Sequence, residues 1–273
     1  MTESVKSFLS SGTLPGYKNP PVNEVFCGMR FQYSNKLLIP HIGLLWNKFR
    51  ADYPVIKHAQ PVITVKGEIL VDDVLGTPLP RVQFINKSDD QLVQFQFDRF
   101  YINWRHRQSD YPRYNLIIKN FEKVHNTIAD FFREFELGEL EPIEYELNYT
   151  NHIPKGQGWN TMDDLPRIFS DFVWGGANGR FLPNPKNVAW QAEFPLPEKK
   201  GHLFVNLNQA MRTEDKVPLF VFTLKAQVIG ESASKENFRE WFDLAHEWIV
   251  RGFTDLTTCE IQKVWGLEEN ATN

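Results

Sequence analysis

Two cysteines in 273 residues, Cys27 and Cys259, with no CxxC spacing and no Cys/His cluster, exclude a disulfide framework and a structural zinc site. Long apolar runs are also missing. No stretch approaches the roughly 18 residues that a membrane span needs, and "MTESVKSFLSSGTLPGY" has no apolar core of a signal peptide, so the cytoplasm is the expected location. Positive charge is in deficit, with 30 Lys and Arg against 34 Asp and Glu and a net charge of −4. No global basic field therefore recruits nucleic acid or an anionic membrane, and any anion site must be a local patch. Catalytic signatures are absent as well: there is no GxSxG, no HExxH and no GxxxxGK[ST]. The glycine-rich "VWGGANGRF" (Val173–Phe181) and "PKGQGW" (Pro154–Trp159) read as turns, because neither joins a strand to a helix start. No cofactor is expected.

Large flat side chains are abundant, with 22 Phe, 8 Trp and 8 Tyr, so the core must be aromatic. Residues 1–21 form an arm, punctuated by "NPP" (Asn19–Pro21). A half-buried strand follows, with Val25, Cys27, Met29, Phe31 and Tyr33 on the inward side. "NKLLIPHIGLLWNKF" has helical spacing, with Pro40 in its first turn. Strands are expected at 61–71, 81–86 and 91–104. In the last, Val93, Phe95 and Phe97 are odd-numbered while Phe100, Ile102 and Trp104 are even, which requires a bulge or break near Asp98–Arg99. A long helix then carries Ile117, Phe121, Val124, Ile128, Phe132 and Phe135 on one stripe, and Gly138 is placed at its end.

The second half repeats the order. "PIEYELNYT" (142–150) alternates as a strand, and a short helix follows around "MDDLPRIFSDFVW". "NVAWQAEF", "GHLFVNLN" and "PLFVFTLKAQVI" give three strands. A helix from about Lys235 carries Phe238, Phe242, Ala245, Ile249, Phe253 and Leu256, each 121 positions after its counterpart in the first stripe. The opening strands need an even offset of 120 or 122 to keep their inward parity, so a one-residue difference lies between the halves. "TTCE" (Thr257–Glu260) resembles a capping box opening a last short helix. The expected fold is α+β: two pseudo-duplicated βαβββα halves, 22–138 and 139–273, packed as one unit. Their antiparallel sheet is backed by two long helices, and its helix-free face is expected to be apolar enough to need a cover.

Two groups of residues are candidates for chemistry. Glu122 with His125, and Asp243 with His246, repeat an acid-x-x-His spacing that places each pair on one helix face. Duplicated pairs of this kind supply half the ligands of carboxylate-bridged di-metal sites, but the further carboxylates such a site needs have no evident source here. No metal is therefore expected, and the histidines are read as lying beside the apolar stripe. The second group is "NWRHRQSDYPR" (Asn103–Arg113). Arg105, His106, Arg107 and Arg113 sit among Trp104, Tyr101 and Tyr111, suited to a phosphate or a nucleobase, or else paired with Asp98, Asp110 or Glu residues. The second half has no such cluster, so the patch breaks the repeat.

"NPPVNEVFCGMRF" and "DLAHEWIVRGFTDL…VWG" resemble the signatures of a sporadically distributed bacterial protein family: a Pro-Pro-Val-x-Glu-Val opening at Pro20–Val25 and a His-to-Trp-Gly block ending at Gly266. The likeness covers about Asn19 to Gly266 and carries no activity or catalytic residue. It implies a bacterial cytoplasmic protein of accessory genes such as mobile-element or phage-defence loci. The resulting expectation is a non-catalytic binding or regulatory protein working through a protein partner or as a homodimer. The alternative is a nucleotide- or nucleic-acid-binding or processing enzyme using Arg105–Arg107.

Overall fold

The computed structural model describes residues 13–62, 80–107, 109–173, 181–183, 185–231, 233 and 237–268. The strands are β1 (Gly16–Tyr17), β2 (Val22–Phe31), β3 (Val55–Ala59), β4 (Arg81–Ile85), β5 (Gln91–Gln96), β6 (Arg99–Arg105), β7 (Pro142–Pro154), β8 (Trp190–Pro195), β9 (His202–Met211), β10 (Pro218–Ile229) and β11 (Leu267–Glu268). The helices are α1 (Ile39–Phe49), α2 (Tyr114–Glu134), α3 (Leu165–Ile168, after a 3-10 turn at Met162–Asp164), α4 (Phe238–Leu256) and α5 (Cys259–Val264). The class is α+β, with one antiparallel sheet of nine strands in the order β3-β4-β5-β6-β2-β7-β10-β9-β8.

Reading outward from the central β2–β7 pair, the strands run β6, β5, β4 on one side and β10, β9, β8 on the other. On both sides of β2–β7 the strand nearest the pair is thus the last of its three in chain order. The mirror fails at β3, which extends the first half and has no counterpart among the described residues. The expected strand at 61–71 lies outside the described residues from position 63 onward, as do the glycines at 175, 176 and 179.

The phase change in residues 91–104 has a definite cause. β5 and β6 are separate strands joined by Phe97–Asp98, with Gln96 paired to Arg99. A two-residue turn, like a bulge, reverses which parity points inward, and here it is a turn. Val93, Phe95 and Phe97 before it and Phe100 and Ile102 after it are all buried on the helix side.

Both stripes pack as their spacing dictates. Phe121, Val124, Ile128 and Phe132 of α2 are buried, and so are Phe242, Ala245, Ile249 and Phe253 of α4. Phe121 stacks on Phe100 at 5.4 Å and meets Phe242 edge-on at 4.7 Å, so the phenylalanines that open the two acid-x-x-His motifs touch. Burying one such ring contributes about 1.5–3 kcal/mol, more than any single propensity difference in either helix. The helix ends differ slightly from expectation. α2 stops before Gly138: Glu136 takes the left-handed turn (φ 52°) and Leu137 N–H donates back to Phe132 O at 2.9 Å. α5 is capped by Thr258, whose hydroxyl accepts from Ile261 N. Thr257 is instead buried, its hydroxyl donating to Phe253 O.

The helix-free face corrects the expectation of a bare apolar surface. Glu24, Arg30, Tyr101, Asn103, Glu144, Glu146, Lys225 and Gln227 line it, and they bond one another. Arg30 pairs with Glu144 at 2.7 Å, Asn103 donates to Glu24 at 2.7 Å and Gln227 donates to Glu144 at 2.6 Å. Alternation has placed polar side chains at its centre, while Phe26 shares the face and Leu92 and Ile85, towards β4, are buried on it. At its centre Gly28 is paired with Tyr101, and a methyl added to Gly28 would lie 2.0 Å from the Tyr101 ring.

That contact generates a test. Gly28→Ala should cost about 1–3 kcal/mol of unfolding free energy through overpacking. The cost should fall sharply in a Tyr101→Val background, where the obstructing ring is gone. Equal cost in both backgrounds, measured by denaturant unfolding, would refute the steric explanation.

Candidate functional site

The arm does not hang free up to residue 21. β1 pairs with β11, and Lys18 N and Asn19 N donate to Gly266 O and Trp265 O at 3.0 Å each. Tyr17 is buried among Phe253 and Trp265, its hydroxyl 2.9 Å from Thr254 Oγ1. The arm therefore lies across one end of the central strands. Beneath it is a cavity of about 60 Å³, walled by the arm, β2, β7, β10 and α4. Each water needs roughly 10–15 Å³ of such space, so the cavity holds a handful of waters or a small molecule. At this end β2 bulges at Asn23, between the Val22–Asn151 and Glu24–Thr150 pairs.

Two of the residues singled out in the sequence meet here, one from each half. Arg113 comes from the turn before α2 and His246 from the middle of α4. Arg113 has φ 67° and ψ 157°, a region that costs a non-glycine residue about 1–3 kcal/mol. Its guanidinium donates to Tyr17 O at 2.9 Å and lies 5.9 Å from the Tyr111 ring centre. No ion pair of Arg113 is formed among the described residues. The Tyr111 and Tyr149 hydroxyls are 2.8 Å apart, and burial pushes both phenols upward.

His246 is only 5% exposed. Its ring stacks on Tyr114 with centroids 3.9 Å apart and planes 5° from parallel. Burial pulls its pKa down to about 4, against a smaller upward pull from Asp243. The imidazole is thus neutral at pH 7. Neither ring nitrogen has a hydrogen-bond partner among the described residues, and neither is sealed off, since the side chain lines the cavity.

The other candidates are dispersed. Glu122 and Asp243, the acids of the repeated motif, are both engaged by Arg239, at 2.9 Å and 3.1 Å. Asp243 also accepts from the Tyr114 hydroxyl at 2.7 Å. His125 packs against Phe121 and Phe238, with Nδ1 3.2 Å from Asn126. No group of three or more His, Cys, Asp or Glu side chains placed to hold a metal occurs among the described residues.

Arg105 and Arg107 converge on Asp89, in the β4–β5 turn, rather than on the acids nearer in sequence. Asp98 instead pairs with Arg99 at 2.7 Å. His106 is exposed, 6.2 Å from the Trp104 ring centre. The basic run is therefore divided, with Arg113 facing the cavity and the other three residues at the strand end. Sequence reasoning did not point to Tyr114, Tyr149 or Asn151. Tyr149 was legible as an inward strand position, but nothing marked its hydroxyl as polar lining.

No family model matches the chain, and no curated protein matches it. Among solved structures it is similar to DynU16, a protein in the dynemicin biosynthetic locus, with 10% identity and a TM-score of 0.27, over 89% of this chain and 97% of that one. Among the described residues, no helix is long and apolar enough to cross a membrane.

The environment of His246 sets a pH dependence. Its folded value near 4 lies below the ordinary 6.5, so the unfolded chain takes up the proton first as pH falls. Stability is fully present above 6.5 and is lost between 6.5 and 4, by on the order of 3 kcal/mol. In denaturant titrations His246→Gln should lack this component and flatten the profile relative to wild type. Parallel profiles across the window would show that burial of the neutral ring does not govern it.

Proposed function

We propose that the protein is a non-catalytic binding protein that acts through a protein partner, which adds an extended segment to the edge of β3 that no described residue pairs with. The observation carrying this reading is the state of that strand. β3 ends the nine-strand order, and residues 55–58 are exposed, with Val55 and Ile56 apolar. Natural sheets usually blunt or cover such edges, and an exposed one is a template for strand addition. On β3 the blunting is limited to Lys57 and His58.

The acids and basic residues that would serve catalysis support the same reading. Glu122 and Asp243 share Arg239, and Arg105 and Arg107 share Asp89. Among the described residues the cavity is lined by a neutral imidazole, three tyrosines and Arg113, with no serine, threonine or cysteine beside a base. The resemblance to a sporadically distributed bacterial family fits an accessory role beside a neighbouring gene product.

Tagged wild type drawn from its native host, with gene neighbours intact, should carry a stoichiometric partner that Ile56→Pro loses while remaining folded by circular dichroism. Light scattering separates the outcomes. A second copy on β3 would make the protein a homodimer. A partnerless monomer that turns over a metabolite would reject the binding reading.

A further inference from the structure

The cavity between α4 and the central strands contains two polar groups that the fold itself leaves unanswered. Arg113 carries a positive charge with no carboxylate on it among the described residues, and only one of its N–H donors is used, on Tyr17 O. His246 is more than nine-tenths buried, lines the same cavity and makes no hydrogen bond among the described residues. A buried polar group without a partner costs about 1–3 kcal/mol, and a guanidinium is seldom left without an anion or water. Leu224, Ile249 and Phe253 supply apolar wall beside them.

We propose that this cavity binds a small organic monocarboxylate, its carboxylate on the Arg113 guanidinium and hydrogen-bonded by His246, its short aliphatic chain against Leu224, Ile249 and Phe253. The charge count selects the class. One cation lines the cavity, because burial keeps the imidazole neutral at pH 7, so a singly charged anion is matched and a phosphate dianion is not. The size suits a short chain, since about 60 Å³ of enclosed space matches a few heavy atoms rather than a whole nucleotide or sugar phosphate. The start of α2, where no side chain caps the helix, adds favourable partial charge next to Arg113. The arm, held over the cavity by β1–β11 pairing, would shield the charge pair from water. This assignment does not rest on the partner reading, which concerns the far edge of the sheet.

The test is calorimetry and thermal unfolding of the full chain with acetate, propionate and butyrate, with inorganic phosphate and chloride as comparison anions. The expected result is saturable binding of a carboxylate that raises the unfolding temperature. The ¹⁵N resonances of the His246 ring should shift on binding, which a purely structural histidine would not show. Arg113→Gln should weaken binding about tenfold or more, as expected for loss of a charge-assisted pair. Val250→Phe keeps Arg113 but fills the cavity, and it should abolish binding, so a failure of Arg113→Gln to fold does not decide the matter. Three results would overturn the proposal: no saturable carboxylate binding, binding retained in Val250→Phe, or phosphate preferred over the carboxylates.

Discussion

Antiparallel pairing of β2 with β7 is the constraint on which the rest of the structure hangs. It is the seam at which residues from the two halves of the chain become one sheet. On its helix side Val25, Cys27 and Met29 lie opposite Tyr149, Leu147 and Tyr145. On its other side Arg30 lies opposite Glu144 and bonds it. Above the seam the two long helices meet through Phe121 and Phe242, and Arg239 ties Glu122 of one to Asp243 of its own helix. The aromatic contact outweighs the ionic one, because the arginine is over a third exposed and such pairs contribute about 0–1 kcal/mol. The cavity occupies one end of the same seam.

The repeated phenylalanine–acid–histidine order is therefore explained by packing. The phenylalanines form the contact between helices, and the acids share one arginine. The two histidines diverge in environment, although their spacing is identical. His125 is half-buried against rings, whereas His246 is enclosed and stacked on a tyrosine hydrogen-bonded to Asp243. Tyr114, the partner that makes the difference, precedes the first stripe and has no counterpart among the positions used to recognise the repeat.

Much of the fold was legible because burial writes its period into the chain. The two long helices and the strands with one polar face were found from the 3.6- and 2-residue patterns alone. β3 escaped because an exposed edge strand has no buried row, so "VIKHA" shows no alternation. The parity change near Asp98 was visible, but parity alone does not separate a bulge from a two-residue turn. The helix ends shifted for local reasons: Leu137 is buried and pulls the α2 stop to Glu136, while Glu260 reaches across to Arg167 rather than capping its own helix. The candidate site was half legible. Arg113 and His246 stood out by type, yet their meeting depends on two chain segments more than a hundred residues apart. The Arg105–Asp89 pair was hidden for the same reason, since it is made by a turn that comes next to β6 only once β4, β5 and β6 are aligned.

The position of β2 also has a consequence during synthesis. During translation β2 gains its first neighbour in the sheet when β6 arrives, about seventy to eighty residues later, but its other edge stays open until β7 is translated. In that interval the strand that will lie at the middle of the finished sheet is an outer strand, bearing the apolar row Val25, Cys27, Met29 and Phe31. The nascent N-terminal half is thus an open sheet with one unsatisfied ladder of backbone groups, the kind of species that associates with copies of itself when concentrated. The most central element of the native protein is in this way an edge strand during its biosynthesis, and truncation between residues 105 and 142 leaves it one.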